Sequence, residues 1–170
     1  MHALKTYIVE DSPVIRESLV ALLEESVPVE VVGTAEDELT ALNWIDQRAR
    51  ECDLVIVDIY LKGGSGLGVL KAGAGVYKPA KWVVFSNHAT PEMRNRCLEL
   101  GADCVFDKSN EIDELLMYCN RLASNDEAMG SVPTAPAVDE PMESAPGTST
   151  LANLNTGAGS GSASSQAGMA

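Results

Sequence analysis

Four consecutive apolar residues, Leu54-Val55-Ile56-Val57, end abruptly at Asp58 and are followed by a loop containing Gly63, Gly64 and Gly66. An unbroken apolar run of this length fits a strand covered on both faces, the usual state of a central strand in a parallel sheet. Open sheets of that kind place their binding sites along the carboxyl edge of the strands, which is where Asp58 stands. A carboxylate at the end of a buried strand needs a cation, hydrogen-bond donors or solvent. The rest of the chain is therefore informative chiefly for what it can bring to Asp58.

The first predicted strand, Leu4 to Val9, also ends in carboxylates, Glu10 and Asp11. Ser12 and Pro13 then supply an N-cap and a first helical residue, and Ile15, Leu19, Leu22 and Leu23 recur at the spacing of a helix with one buried face. Val27 to Gly33 reads as a second strand. Glu36, Asp37 and Glu38 suit the positive end of the next helix, which is expected to bury Leu39, Leu42 and Ile45. After the Asp58 strand, Ser65 caps a short helix holding Leu67 and Leu70. Trp82 to Phe85 is a fourth strand ending at Ser86, and Thr90-Pro91 caps a helix of Met93, Cys97 and Leu100 that stops at Gly101. Cys104 to Phe106 is a short fifth strand ending near Lys108, and Ser109 is expected to open a last helix carrying Ile112, Leu115, Leu116, Cys119 and Leu122. Five strands alternating with five helices imply an α/β fold, a doubly wound five-stranded parallel sheet with right-handed crossovers.

Composition divides the chain. All 12 Lys and Arg precede Ser124, as do 20 of the 25 Asp and Glu, while Ser124 to Ala170 has no basic or aromatic residue. Such a segment buries too little apolar surface to offset its ordering entropy, so residues 124–170 are expected to be a disordered, acidic, low-complexity tail behind a folded domain of residues 1–123. The net charge of −13 argues against nucleic-acid binding through a general electrostatic footprint. Cys52, Cys97, Cys104 and Cys119 show no C-x-x-C pairing and read as reduced thiols. No apolar run approaches the roughly 20 residues of a membrane span, acidic residues come too early for a secretory signal, and a cytoplasmic location is expected.

In a doubly wound sheet the strand ends share one edge, so Glu10, Asp11, Asp58, Ser86 and Lys108 should converge. Carboxylates brought together raise one another's pKa unless a cation sits among them. An all-oxygen set with room for water suits Mg²⁺, commonly held by a few carboxylates together with phosphate oxygens. A hydroxyl and an ammonium beside them are what a phosphoryl group requires. The set points to a phosphoryl-transfer site with a carboxylate nucleophile.

At these residues the chain resembles the receiver domain of bacterial two-component response regulators, of the stand-alone, single-domain type, over Leu4 to Ala123. The acidic pair Glu10-Asp11, the strand-end Asp58, Gly66 eight residues later, Ser86 and Lys108 carry the resemblance. It implies a flavodoxin-like sheet of order 2-1-3-4-5 with Asp58 as phosphoacceptor. It further implies Mg²⁺ held by Asp11, Asp58 and the backbone carbonyl of Tyr60, with Glu10 joining through water, and Ser86 and Lys108 holding phosphoryl oxygens. Implied partners are a sensor histidine kinase or histidine phosphotransfer protein, and an output protein. Such a chain is a signalling phosphoacceptor that assists its own phosphorylation and dephosphorylation, and is not classed as an enzyme.

Some positions depart from the family pattern. Lys62 and Ser109 stand where prolines are common, Asn87 where a small residue is usual, and Val105 where an aromatic switch residue is typical. The isomer of the Lys108–Ser109 bond is open at this point. Nothing after Ala123 resembles a helix-turn-helix, so neither direct nucleic-acid binding nor membrane binding is expected and output should pass by protein contact. The alternative is a receiver-fold interaction module that works without phosphorylation. A haloacid-dehalogenase-like phosphatase fits poorly, because Asp58-Ile59-Tyr60 lacks that family's second aspartate.

Overall fold

The central strand of the sheet is β3 (Leu54–Val57), all four of its residues buried. β1 (Leu4–Val9) and β2 (Val29–Ala35) extend the sheet on one side, β4 (Lys81–Ser86) and β5 (Cys104–Asp107) on the other. Every ladder is parallel and the order is β2-β1-β3-β4-β5, as expected. The computed structural model describes residues 2–76 and 79–124; the expected tail thus lies, apart from Ser124, outside the described residues.

Alternation along the strands divides the apolar side chains between two layers. Tyr7, Val9, Val55, Val57, Trp82 and Val84 point to one face, which is covered by α2 (Glu38–Arg48), α3 (Gly66–Gly73) and α4 (Pro91–Glu99). Leu4, Ile8, Leu54, Ile56, Val83 and Phe85 point to the other, covered by α1 (Pro13–Ser26) and α5 (Ile112–Ala123). Trp44 stacks on Tyr7 with ring centroids 3.8 Å apart, and Trp82 is almost wholly buried, so both tryptophans serve in packing. Cys52, Cys97 and Cys119 are buried and Cys104 is half-buried, and no disulfide joins two of the four.

Ser12, Ser65 and Thr90 cap their helices as the sequence predicts, and Asp37, expected only as a charge at the positive end of α2, is its cap as well. Ser12, Asp37, Ser65 and Thr90 each accept a backbone N–H in the first turn of α1, α2, α3 and α4. Three expectations are corrected. β2 begins at Val29, because the Val27 N–H is committed to Leu23 at the end of α1. On α2 the buried face runs through Ala41 and Ile45, leaving Leu39 70% exposed, and Ile15 on α1 is 37% exposed. Ser109 does not open α5: Asn110 and Glu111 donate to Asp107 O in a turn, and the helix starts at Ile112. There are no cis peptide bonds among the described residues, so Lys108–Ser109 is trans.

Candidate functional site

The sheet register builds the site. Val9 pairs with Val57, so the next residues, Glu10 and Asp58, leave neighbouring strands side by side, tied by Glu10 N to Ala35 O and Asp58 N to Val9 O, both 2.9 Å. Ser86 pairs with Asp107 at the ends of β4 and β5, and Lys108 N donates back to Ser86 O at 3.1 Å. Two strand pairs thus carry five chemically active residues to one edge.

Glu10, Asp11 and Asp58 form a cluster in which one carboxylate oxygen from each lies within 4.8 Å of the others. Glu10 is 2% exposed and Asp58 9%, with Asp11 half-buried. The Lys108 ammonium, nearly buried itself, donates to Asp58 Oδ2 at 2.8 Å and to Glu10 Oε2. Burial pushes the Glu10 carboxyl above its ordinary pKa, and the Lys108 hydrogen bond only partly restrains it. Burial also works against the charge on Lys108, but the combined pull of Asp58 and Glu10 outweighs it and raises the lysine's pKa. One ammonium against three carboxylates leaves the cluster short of positive charge. Oxygen donors with that deficit fit a hard divalent cation.

Ser86 is fully buried, and its hydroxyl accepts the His88 N–H at 3.2 Å at the mouth of the loop into α4. Tyr60, 55% exposed, meets His88 edge to face with centroids 4.3 Å apart. Asn87 accepts the Ser109 hydroxyl at 3.3 Å, so two of the residues that depart from the family pattern meet each other. A groove lined by Val14, Ile15, Leu19, Phe85 and Ile112 opens beside Lys108.

Three residues frame the site in roles that the sequence reading did not give them, Glu38 having been placed only at the positive end of α2. Arg16 donates to Glu10 O at 2.8 Å, fixing the backbone at the end of β1. A cation in the first turns of a helix opposes the helix dipole, and that misfit was the available signal. Glu38 accepts Ser65 N at 2.7 Å while its own N–H donates to Gly63 O, clamping the loop after Asp58 to α2. Gly64 and Gly68 leave the space that this carboxylate fills. Arg94 on α4 donates to Ala89 O, Val105 O and Glu111.

The chain is similar to known proteins in sequence and, for solved structures, in fold. The fimbriae Z protein of Salmonella typhimurium is 26% identical over 108 residues, 64% of this chain and 50% of the relative. Protein-glutamate methylesterase/protein-glutamine glutaminase 1 of Methanospirillum hungatei is 30% identical over 102 residues, 59% of this chain and 29% of that one. The chain therefore spans half the length, or less, of these two curated relatives. Among solved structures, the signal receiver domain of NarL from Mycobacterium tuberculosis superposes with a TM-score of 0.62 at 28% identity, covering 77% of this chain and all of that domain. The family model of the response regulator receiver domain matches residues 6–120, most of the chain, and the protein belongs to that family.

Proposed function

We propose that the chain is a phosphoacceptor of two-component or phosphorelay signalling, taking a phosphoryl group on Asp58 and passing the signal on by protein contact. The observation that carries this is Lys108 held between Asp58 and Glu10 inside the carboxylate cluster. The donor is the phosphorylated histidine of a sensor kinase or phosphotransfer protein. An Asp58 oxygen attacks phosphorus, the P–O bond forms as the P–N bond breaks, and the imidazole leaves with the electron pair. Lys108, already 2.8 Å from Asp58, turns its ammonium onto a phosphoryl oxygen, and the Ser86 hydroxyl offers a second donor from the next strand end. Glu10, Asp11, Asp58 and the Tyr60 carbonyl are the residues to hold Mg²⁺, which when bound supplies charge compensation for the phosphoryl group.

None of the described helices is long and apolar enough to cross a membrane. The phosphodonor chemistry belongs to the cytoplasm, and the partners are the kinase or phosphotransfer protein and an output protein.

Incubation with Mg²⁺ and acetyl phosphate, followed by intact mass measurement, tests the reading. Wild type should gain one phosphoryl group that hydroxylamine removes, and Asp58→Asn should gain none. Equal labelling of the two would move the site elsewhere. Absence of labelling in wild type would leave an interaction module that works without phosphorylation.

A further inference from the structure

We infer that Arg94 is the element that couples the phosphorylation loop to the face formed by β5 and α5, in place of an aromatic switch. The inference rests on the phosphoacceptor reading above. One guanidinium holds three separate parts of the fold. Nε donates to Ala89 O at 3.0 Å, three residues beyond Ser86 in the loop between β4 and α4. Nη1 donates to Val105 O at 2.9 Å, in the body of β5. Nη2 donates to Glu111 Oε2 at 2.8 Å, the residue that leads into α5. That same Glu111 oxygen accepts Asp107 N at 2.7 Å, adjoining Lys108.

The geometry makes these bonds interdependent. A guanidinium is planar and presents its donors in a rigid fork, so it cannot follow one acceptor without turning away from the others. Hydrogen bonds weaken steeply as they bend, and those to charged groups are among the strongest in a protein. A phosphoryl group on Asp58 that draws in Ser86, the last residue of β4, also displaces Ala89, because Ala89 follows only three residues later in a short loop. The guanidinium must then tilt, and the tilt reaches Val105 and Glu111 together. Val105 itself has no ring to swing and, being β-branched, is restricted at χ1. A modification shifts a conformational equilibrium only through interactions that differ between the two states, and the Arg94 bonds are such a set.

The test uses the full chain with beryllofluoride and Mg²⁺ as the phosphoryl mimic, read by amide chemical shifts at saturation. In wild type, Ser86, Asn87 and His88 should shift most, with smaller shifts at Phe106, Ile112 and Leu115. Arg94→Lys keeps the charge but loses the fork; its loop shifts should remain while those at Ile112 and Leu115 largely vanish. Glu111→Ala, which removes the acceptor altogether, is the second variant, able to carry the test if Arg94→Lys does not fold. It leaves the bonds to Ala89 and Val105, so Val105 should still respond and α5 should not. Wild-type shifts throughout α5 in these variants, even with a lowered melting temperature, would make Arg94 a merely structural clasp and overturn the inference. Failure of wild type to respond at Ser86 would instead sink the phosphoacceptor reading, and the inference with it.

Discussion

A lysine enclosed by two carboxylates is stable only while the charges compensate one another, and breaking a buried pair costs more than the pair is worth. Lys108 satisfies Asp58 and Glu10, but among the described residues Asp11 has no such ammonium partner and stands half-buried beside them. Replacing Asp11 by Ala should therefore leave thermal stability unchanged or raised, because carboxylate repulsion falls. Phosphoryl transfer to Asp58 should meanwhile slow by orders of magnitude; a labelling rate near that of wild type at the same Mg²⁺ concentration would remove Asp11 from the site. Glu10, Asp11, Asp58, Ser86 and Lys108 were legible because side-chain chemistry has a letter in the sequence and each letter falls at a strand end. Arg16, Glu38 and Arg94 were not, for a common reason: most of their partners are backbone carbonyls and amides, which every residue has and no letter marks.

At the level of elements, the apolar pattern placed the five strands and five α-helices described but misjudged where some begin and which face they bury. Val27 is apolar and suits a strand, yet its N–H was already spent on α1; Leu39 fits the helical period, yet the smaller Ala41 faces the sheet. The loop after Asp58 shows how tightly elements constrain one another. A Cβ on Gly66 would lie 1.8 Å from Asp58 O, a backbone atom that cannot yield, whereas a Cβ on Gly75 would meet nothing within 4 Å. Gly66→Ala should cost at least about 3 kcal/mol through overpacking. Gly75→Ala should gain roughly 0.4–1 kcal/mol by restricting the unfolded chain. Urea unfolding of the pair measures both, and a tolerated Gly66→Ala would refute the close approach. The turn into α5 adds a pH dependence. The Arg94 hydrogen bond, then the Asp107 amide, hold the Glu111 carboxyl below its ordinary 4.5. A carboxyl with a depressed folded pKa stabilises fully above its unfolded pKa and loses that contribution as pH falls through the folded one. Glu111→Gln should thus melt below wild type at pH 7, and the gap should close as pH falls below the ordinary carboxylate range; a gap independent of pH would mean that the charge is not what stabilises.

On the scale of the whole molecule, the alternation of strands and helices was enough to predict a sheet wound on both faces, because each strand-helix unit can bury its apolar side only against a shared sheet. The division of labour between the faces was less legible, since it depends on which strand each helix crosses. The two cores now make a test of cooperativity possible. Cys52 and Cys97 belong to the layer under α2, α3 and α4, while Cys119 belongs to the layer under α1 and α5. Burial pushes the Cys52 thiol up to about 11 and the Cys119 thiol up to about 12, and raises Cys97. At pH 8 these groups are therefore protonated in the native state, and the thiolate is the reactive form. Labelling at the three buried cysteines then requires opening of the fold, with half-buried Cys104 reacting first. Because β3 contributes Val55 and Val57 to one core and Leu54 and Ile56 to the other, neither core can be lost without disturbing the other. Cys97 and Cys119 should accordingly be labelled by a maleimide at rates that agree after correction for intrinsic thiol reactivity, and should track the global unfolding free energy as urea is added. Labelling of Cys119 more than about tenfold faster than Cys97, a difference of roughly 1.4 kcal/mol in opening free energy, would instead mean that α5 detaches from an intact sheet.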